Sequence, residues 1–259
     1  MLAWGLGYFG MPHILLRFMA IEDEEKLTLS RRVATTWVVI SLAVAVLIGV
    51  VGLGMTAAGE FDLLEGSASE TIIVQIADLL SKHGVIAAIL AGLILAGILA
   101  STMSTADSQL LAASSAVSSD LLGSILKDKE TKKESMVADK ITLLLIAVVA
   151  MFIARDPNSS VFTIVSFAWA GFGAVFGPVV LLALFWRRSN WQGALAGMIC
   201  GGSMVFIWKY GISKLGGAWG IYELLPAFLV AIAANIIVSL ITKAPSKEIT
   251  DEFDLVNQK

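Results

Sequence analysis

Between its charged loops the chain repeatedly runs for about twenty residues with almost no ionisable side chain, and this constrains the fold more than any other property. GVIAAILAGLILAGILASTMSTA, residues 84–106, is the cleanest case. A helix rises 1.5 Å per residue, so about 20 apolar residues match the ~30 Å hydrocarbon core of a bilayer. Lipid offers backbone N–H and C=O groups no partners, and runs of this length satisfy their own groups as helices. Six such spans are predicted, near 33–54, 84–106, 141–154, 161–185, 192–208 and 224–242. The third has a short apolar part and is expected to begin about a turn earlier. The chain is therefore all-α and integral to a membrane, with lipid as its surroundings. Only 15% of its residues are charged, against ~25% in an average soluble domain. A formal net charge of −3 gives no ground for a nucleic-acid partner. The single cysteine, Cys200, excludes a disulfide frame and reads as a small buried hydrophobe.

Orientation follows from the basic residues. Alternate loops, at 17–32, 123–140, 186–191 and 243–259, hold fourteen of the eighteen Lys and Arg. By the positive-inside rule these loops, and the C-terminus with them, are expected in the cytoplasm, with the protein in the plasma (inner) membrane. The opposite loop at 55–83 is long and acidic. Within it ETIIVQIADLL puts Ile72, Ile73, Ile76, Leu79 and Leu80 on one helical face. This predicts a short amphipathic helix on the outer surface, an ordinary loop helix or a lid. Gly193, Gly197 and Gly201 recur every four residues, as do Gly173 and Gly177, and predict close helix packing. Pro178 predicts a bend, beside a cavity or simply packed.

Residues 2–19 form a seventh apolar segment, interrupted by Gly5, Gly7, Gly10 and Pro12. It has neither a basic leader nor a cleavage pattern and reads as interior sequence. Unwound backbone at membrane depth is tolerated where it lines a cavity, and discontinuous helices are typical of inverted-repeat carriers. Trp4 and Tyr8, at i and i+4, would then form an aromatic wall for gating or substrate contact, with Gly5 and Gly7 supplying the break. Alternatively the two aromatics belong to the interfacial belt.

The last turns of the span at 84–106 change character. Gly97, Ser101, Ser104, Thr105, Ser108, Ala112 and Ser115 share one face, while Asp107 and Ser114 point away from it. Such a stripe has two readings. Hydroxyls bond back to the carbonyl one turn earlier, and small faces let helices pack. Equally, Ser101, Ser104 and Thr105 offer two hydroxyls and a carbonyl that converge beside the helix, an oxygen set suited to a hard monovalent ion such as sodium. No acidic residue or histidine lies in the spans ahead of Asp107, which favours sodium over protons as the coupling ion. No nucleophile, acid pair or metal cluster in the spans points to an enzyme.

Four stretches in order, WGLGYFGMPHILLRFMAI, LASTMSTADSQLLAASSAVSSDL, SFAWAGFGAVFGPVVLLALFW with the RR that follows, and IYELLPAF leading to TKAPS, resemble the sodium:solute symporter family. The resemblance implies a LeuT-type fold of two inverted five-helix repeats, of which this chain looks like the second. Residues 1–185 would be that repeat, 186–242 two peripheral membrane helices and 243–259 a cytoplasmic tail. It further implies sodium ligands at the Ser101 carbonyl and the Ser104 and Thr105 hydroxyls, and a missing N-terminal half that carries the rest of the site. The expected activity of the whole is sodium-coupled uptake of proline or a related small solute, with other amino acids, sugars or vitamins, or a symporter-like sensor, as alternatives. Alone, the chain is expected to be inactive.

Overall fold

A computed structural model of the protein describes residues 5–117, 132–156 and 160–257. Among these residues all regular structure is helical. The helices are α1 (Pro12–Met19), α2 (Lys26–Ala57), α3 (Ile72–Ser81), α4 (Val85–Ser115), α5 (Lys132–Ile153), α6 (Val161–Phe185), α7 (Trp191–Tyr210), α8 (Leu224–Ile241) and α9 (Lys247–Asn257). Short 3-10 turns at Tyr8–Gly10, Gly66–Thr71, Ile212–Leu215 and Gly217–Gly220 join them. The chain divides into two compact units, one of residues 1–27 and 162–259, the other of residues 28–161.

Among the described residues five helices are long and apolar enough to cross a membrane: α2, α4, α6, α7 with the turn after it, and α8. The sixth predicted span lies within α5. α5 begins at Lys132 rather than a single turn before residue 141, and its first nine residues include Lys132, Lys133, Glu134, Asp139 and Lys140. Its clean apolar part, 141–153, covers only about 20 Å at 1.5 Å per residue.

In the first unit α6, α7 and α8 close around Ala170, Ala174, Val205, Leu224, Ala227 and Phe228, with Leu6 and Phe9 of the N-terminal segment packed on this core. The glycine stripe explains how α7 and α8 approach so closely. A Cβ on Gly193 would stand 2.6 Å from the Asn235 carbonyl oxygen, and one on Gly197 would stand 3.0 Å from that of Ala231. A Cβ on Gly201 would lie 2.7 Å from the carbonyl oxygen of Ala174, the group Pro178 leaves without its helical N–H. Pro178 lies inside α6 and is fully buried. Asn190 caps α7, accepting from Gly193 N at 2.8 Å and donating to Thr242 Oγ1 and the Lys243 carbonyl, both at 2.9 Å, beyond the end of α8. At the other end Tyr222 donates to the Ser166 carbonyl at 2.6 Å and Trp208 Nε1 to the Ile221 carbonyl at 3.0 Å. There Lys209 Nζ lies 3.3 Å from the buried carboxylate of Glu223.

In the second unit α3 lies against α2 and α4, and α4 against α5. The predicted amphipathic helix is present, and its five apolar residues are half-buried while Val74 and Asp78 are exposed. Ile72 packs where Gly52 of α2 leaves no room for a Cβ. Just before α3, Glu70 accepts from Ser160 Oγ at 2.6 Å and from the Val161 amide at 2.9 Å, which caps the start of α6.

Candidate functional site

The predicted site residues fall into two features, one in each unit. In the first, the interrupted N-terminal segment is a turn, a 3-10 turn over Tyr8–Gly10, an extended Met11 and then α1, which starts on Pro12. Proline at the first helical position fits because that residue has no use for an amide donor. Gly7 adopts φ +76, the left-handed region, and its α-carbon faces the backbone of Gly173 so closely that a Cβ would overlap it. Gly10 repeats the arrangement one turn along α6, where a Cβ would stand 2.6 Å from Gly177 N and Cα. The break is therefore seated backbone to backbone on the Gly173–Gly177 stripe. Gly5 differs from its neighbours, since a Cβ there would meet nothing within 4 Å among the described residues. Tyr8 is 50% exposed, and its ring lies 5.2 Å from that of Trp169 at 40°. Trp4 lies outside the described residues.

In the second unit Ser101, Ser104 and Thr105 are exposed on α4, as is every residue from 101 to 109. Thr105 Oγ1 donates to the Ser101 carbonyl at 3.1 Å and Ser108 Oγ to the Ser104 carbonyl at 3.0 Å. These back-bonds place the Thr105 and Ser108 hydroxyl protons on the carbonyls one turn earlier. Ser104 Oγ makes no hydrogen bond among the described residues. The back-bonds are those that the helix-packing reading of the stripe expects. Ser114, on the opposite face, is buried and donates to the Leu111 carbonyl at 3.1 Å.

The model of the sodium:solute symporter family matches residues 1–201. This chain belongs to that family. As a family member it is a multi-pass membrane protein, in keeping with its five long apolar helices. Its relatives include the osmoregulated proline transporter OpuE of Bacillus subtilis, 41% identical over 95% of this chain and 48% of that protein. The sodium/proline symporter of Haemophilus influenzae is 40% identical over 97% of this chain and 49% of its own length, and that of Escherichia coli 38% over 98% and 49%. This chain thus spans about half the length of the curated relatives it matches. No solved structure matches it.

Both candidate features fall inside the matched residues. What reading along the sequence missed is the seat itself. Trp169, Gly173 and Gly177 stand four residues apart on α6, and the motif AWAGFGAVFG shows that spacing, but not which backbone it receives.

Proposed function

We propose that this chain is the second half of a sodium-coupled symporter that takes up proline, and that α4 supplies part of its sodium site. The observation that carries the reading is the pairing of Ser101 O with Thr105 Oγ1 at 3.1 Å on an exposed helix face, beside the free Ser104 hydroxyl. The likeness at 38–41% identity to transporters named for proline supports the solute. In this reading the fold is the LeuT type, and residues 1–185 form its second repeat with the interrupted segment as the first helix. The helices within 186–242 flank it and 243–259 are its cytoplasmic tail in the plasma membrane. Tyr8, Gly5 and Gly7, with Trp4 ahead of them, belong to the solute pathway.

The division of labour is physical. An unwound segment frees backbone groups for a zwitterionic solute, and an aromatic wall beside it offers an apolar ring a partner. Hydroxyl and carbonyl oxygens on α4 replace the water shell of an ion too weakly charged to demand carboxylates. Coupling then requires that ion and solute each favour the same conformation of the carrier. The remaining ligands come from the first half of the transporter.

The test is radiolabelled proline uptake into transporter-deficient cells. The chain joined to a first half from a relative is expected to restore sodium-dependent uptake, and the 259-residue chain alone to leave it at background. Robust uptake by the chain alone, or uptake indifferent to sodium in the joined protein, would defeat the reading.

A further inference from the structure

The tryptophan of AWAGFG contributes nothing to the ion or solute reading above, yet the fold gives it a particular neighbour. On α6, Trp169, Gly173 and Gly177 occupy one stripe and meet Tyr8, Gly7 and Gly10 of the interrupted segment. The two glycine contacts fix the backbone on either side of Tyr8, which leaves the phenol only its side-chain torsions. Trp169 packs on that ring at 5.2 Å and 40°.

Tyr8 and Tyr222 of this unit are held by opposite means. Tyr222 is anchored by its hydroxyl, which donates to the Ser166 carbonyl at 2.6 Å. Tyr8 is anchored by its ring, and its hydroxyl makes no hydrogen bond among the described residues although the side chain is half exposed. A tyrosine oriented through its ring and left with a free hydroxyl presents both a face and a polar edge to whatever passes it.

We propose that Trp169 is a positioning residue for the solute site: by stacking on Tyr8 it sets where the phenol stands and so how wide a ring the site admits. This rests on the reading of Tyr8 as a solute contact. Without the indole the phenol samples other rotamers, so proline binds more weakly and a solute with a larger ring is rejected less. Tilted aromatic pairs of this kind correspond to about a two- to twelve-fold change in an equilibrium constant.

The experiment is sodium-dependent proline uptake by the joined transporter, normalised to protein in the membrane, with competition by the homologue whose ring has one more methylene. Trp169→Leu is expected to raise half-saturating proline about two- to twelve-fold at unchanged maximal rate and to weaken discrimination against the larger ring. Trp169→Phe, which keeps an aromatic face, is expected to recover most of both. In a Tyr8→Leu background, Trp169→Leu is expected to add no further loss, because it acts only through that ring. Half-saturation and ring discrimination unchanged in both Trp169 variants would overturn the inference, as would losses that add in the double variant. Absence of proline uptake by the unsubstituted joined protein would instead overturn the functional reading on which it rests.

Discussion

Replacing Gly10 with alanine tests how the interrupted segment is held. Gly10 has no positive φ, so the backbone itself accepts a Cβ, and the whole effect comes from what that atom meets. It would stand 2.6 Å from Gly177 N and Cα and 2.7 Å from the Phe176 carbonyl carbon. Carbon pairs are comfortable at ~3.5–4.0 Å, so about 1 Å of movement is needed. Every one of those atoms is backbone, and no side chain can rotate out of the way. Overpacking of this kind costs ~1–3 kcal/mol, offset in part by ~0.4–1 kcal/mol from the less flexible unfolded chain. A net loss of about 1–2 kcal/mol corresponds to roughly 2–8 °C in midpoint for a chain of this size. Gly7→Ala adds ~1–2 kcal/mol for its left-handed φ and is expected to be worse. Gly5→Ala, with open space around it, is expected to stay within about 0.5 kcal/mol of the parent. The assay is thermal unfolding of the purified protein in detergent, followed by loss of the monodisperse peak. Equal midpoints for Gly5→Ala and Gly10→Ala would show that the segment does not sit on Gly177 as described.

Two further outcomes follow from the loops. Burial pushes the Tyr222 hydroxyl up to about 12, with the Glu223 charge adding to the shift. A folded-state pKa above the unfolded ~10 means that the contribution to stability is complete below pH ~10 and is lost as pH rises towards 12. Unfolding measured between pH 9 and 12 is therefore expected to show a steeper alkaline decline in the parent than in Tyr222→Phe, and parallel curves would contradict it. For topology, cysteines introduced in 127–133 are expected to resist a membrane-impermeant thiol reagent added to whole cells, whereas those in 60–70 react. The reverse pattern would invert the orientation drawn from the fourteen basic residues.

The membrane helices were legible because lipid leaves a chain few options, and the apolar runs report directly on length. The exception was α5, whose charged first turns hide a helix that starts at Lys132. Hydropathy measures what lipid accepts, whereas the helix continues wherever its backbone bonds do. The interruption at Gly5–Pro12 was visible too, because glycine and proline alter backbone freedom locally. Along the sequence Gly5 and Gly7 looked alike, and only the neighbouring α6 separates them. The role of Trp169 was hidden for the same reason, since its partner lies at Tyr8, far away in the chain. The hydroxyl stripe was legible by spacing, and Thr105 bonds back to the Ser101 carbonyl as that spacing allows.

The central claim is that α4 coordinates sodium, and it is tested most directly by the sodium dependence of proline uptake in the joined transporter carrying Ser104→Ala or Thr105→Ala. Each change removes one oxygen from the proposed site. Losing a bond to a charged group costs ~1–3 kcal/mol, which raises half-saturating sodium about five-fold to more than a hundred-fold. Thr105→Ser keeps the oxygen and its bond to the Ser101 carbonyl and is expected to be mild. Ser114→Ala, on the buried opposite face, is expected to leave sodium dependence unchanged. If both alanine variants lower the amount of protein in the membrane while each remaining molecule keeps the parent's sodium half-saturation, the stripe only packs and the ion site is not there.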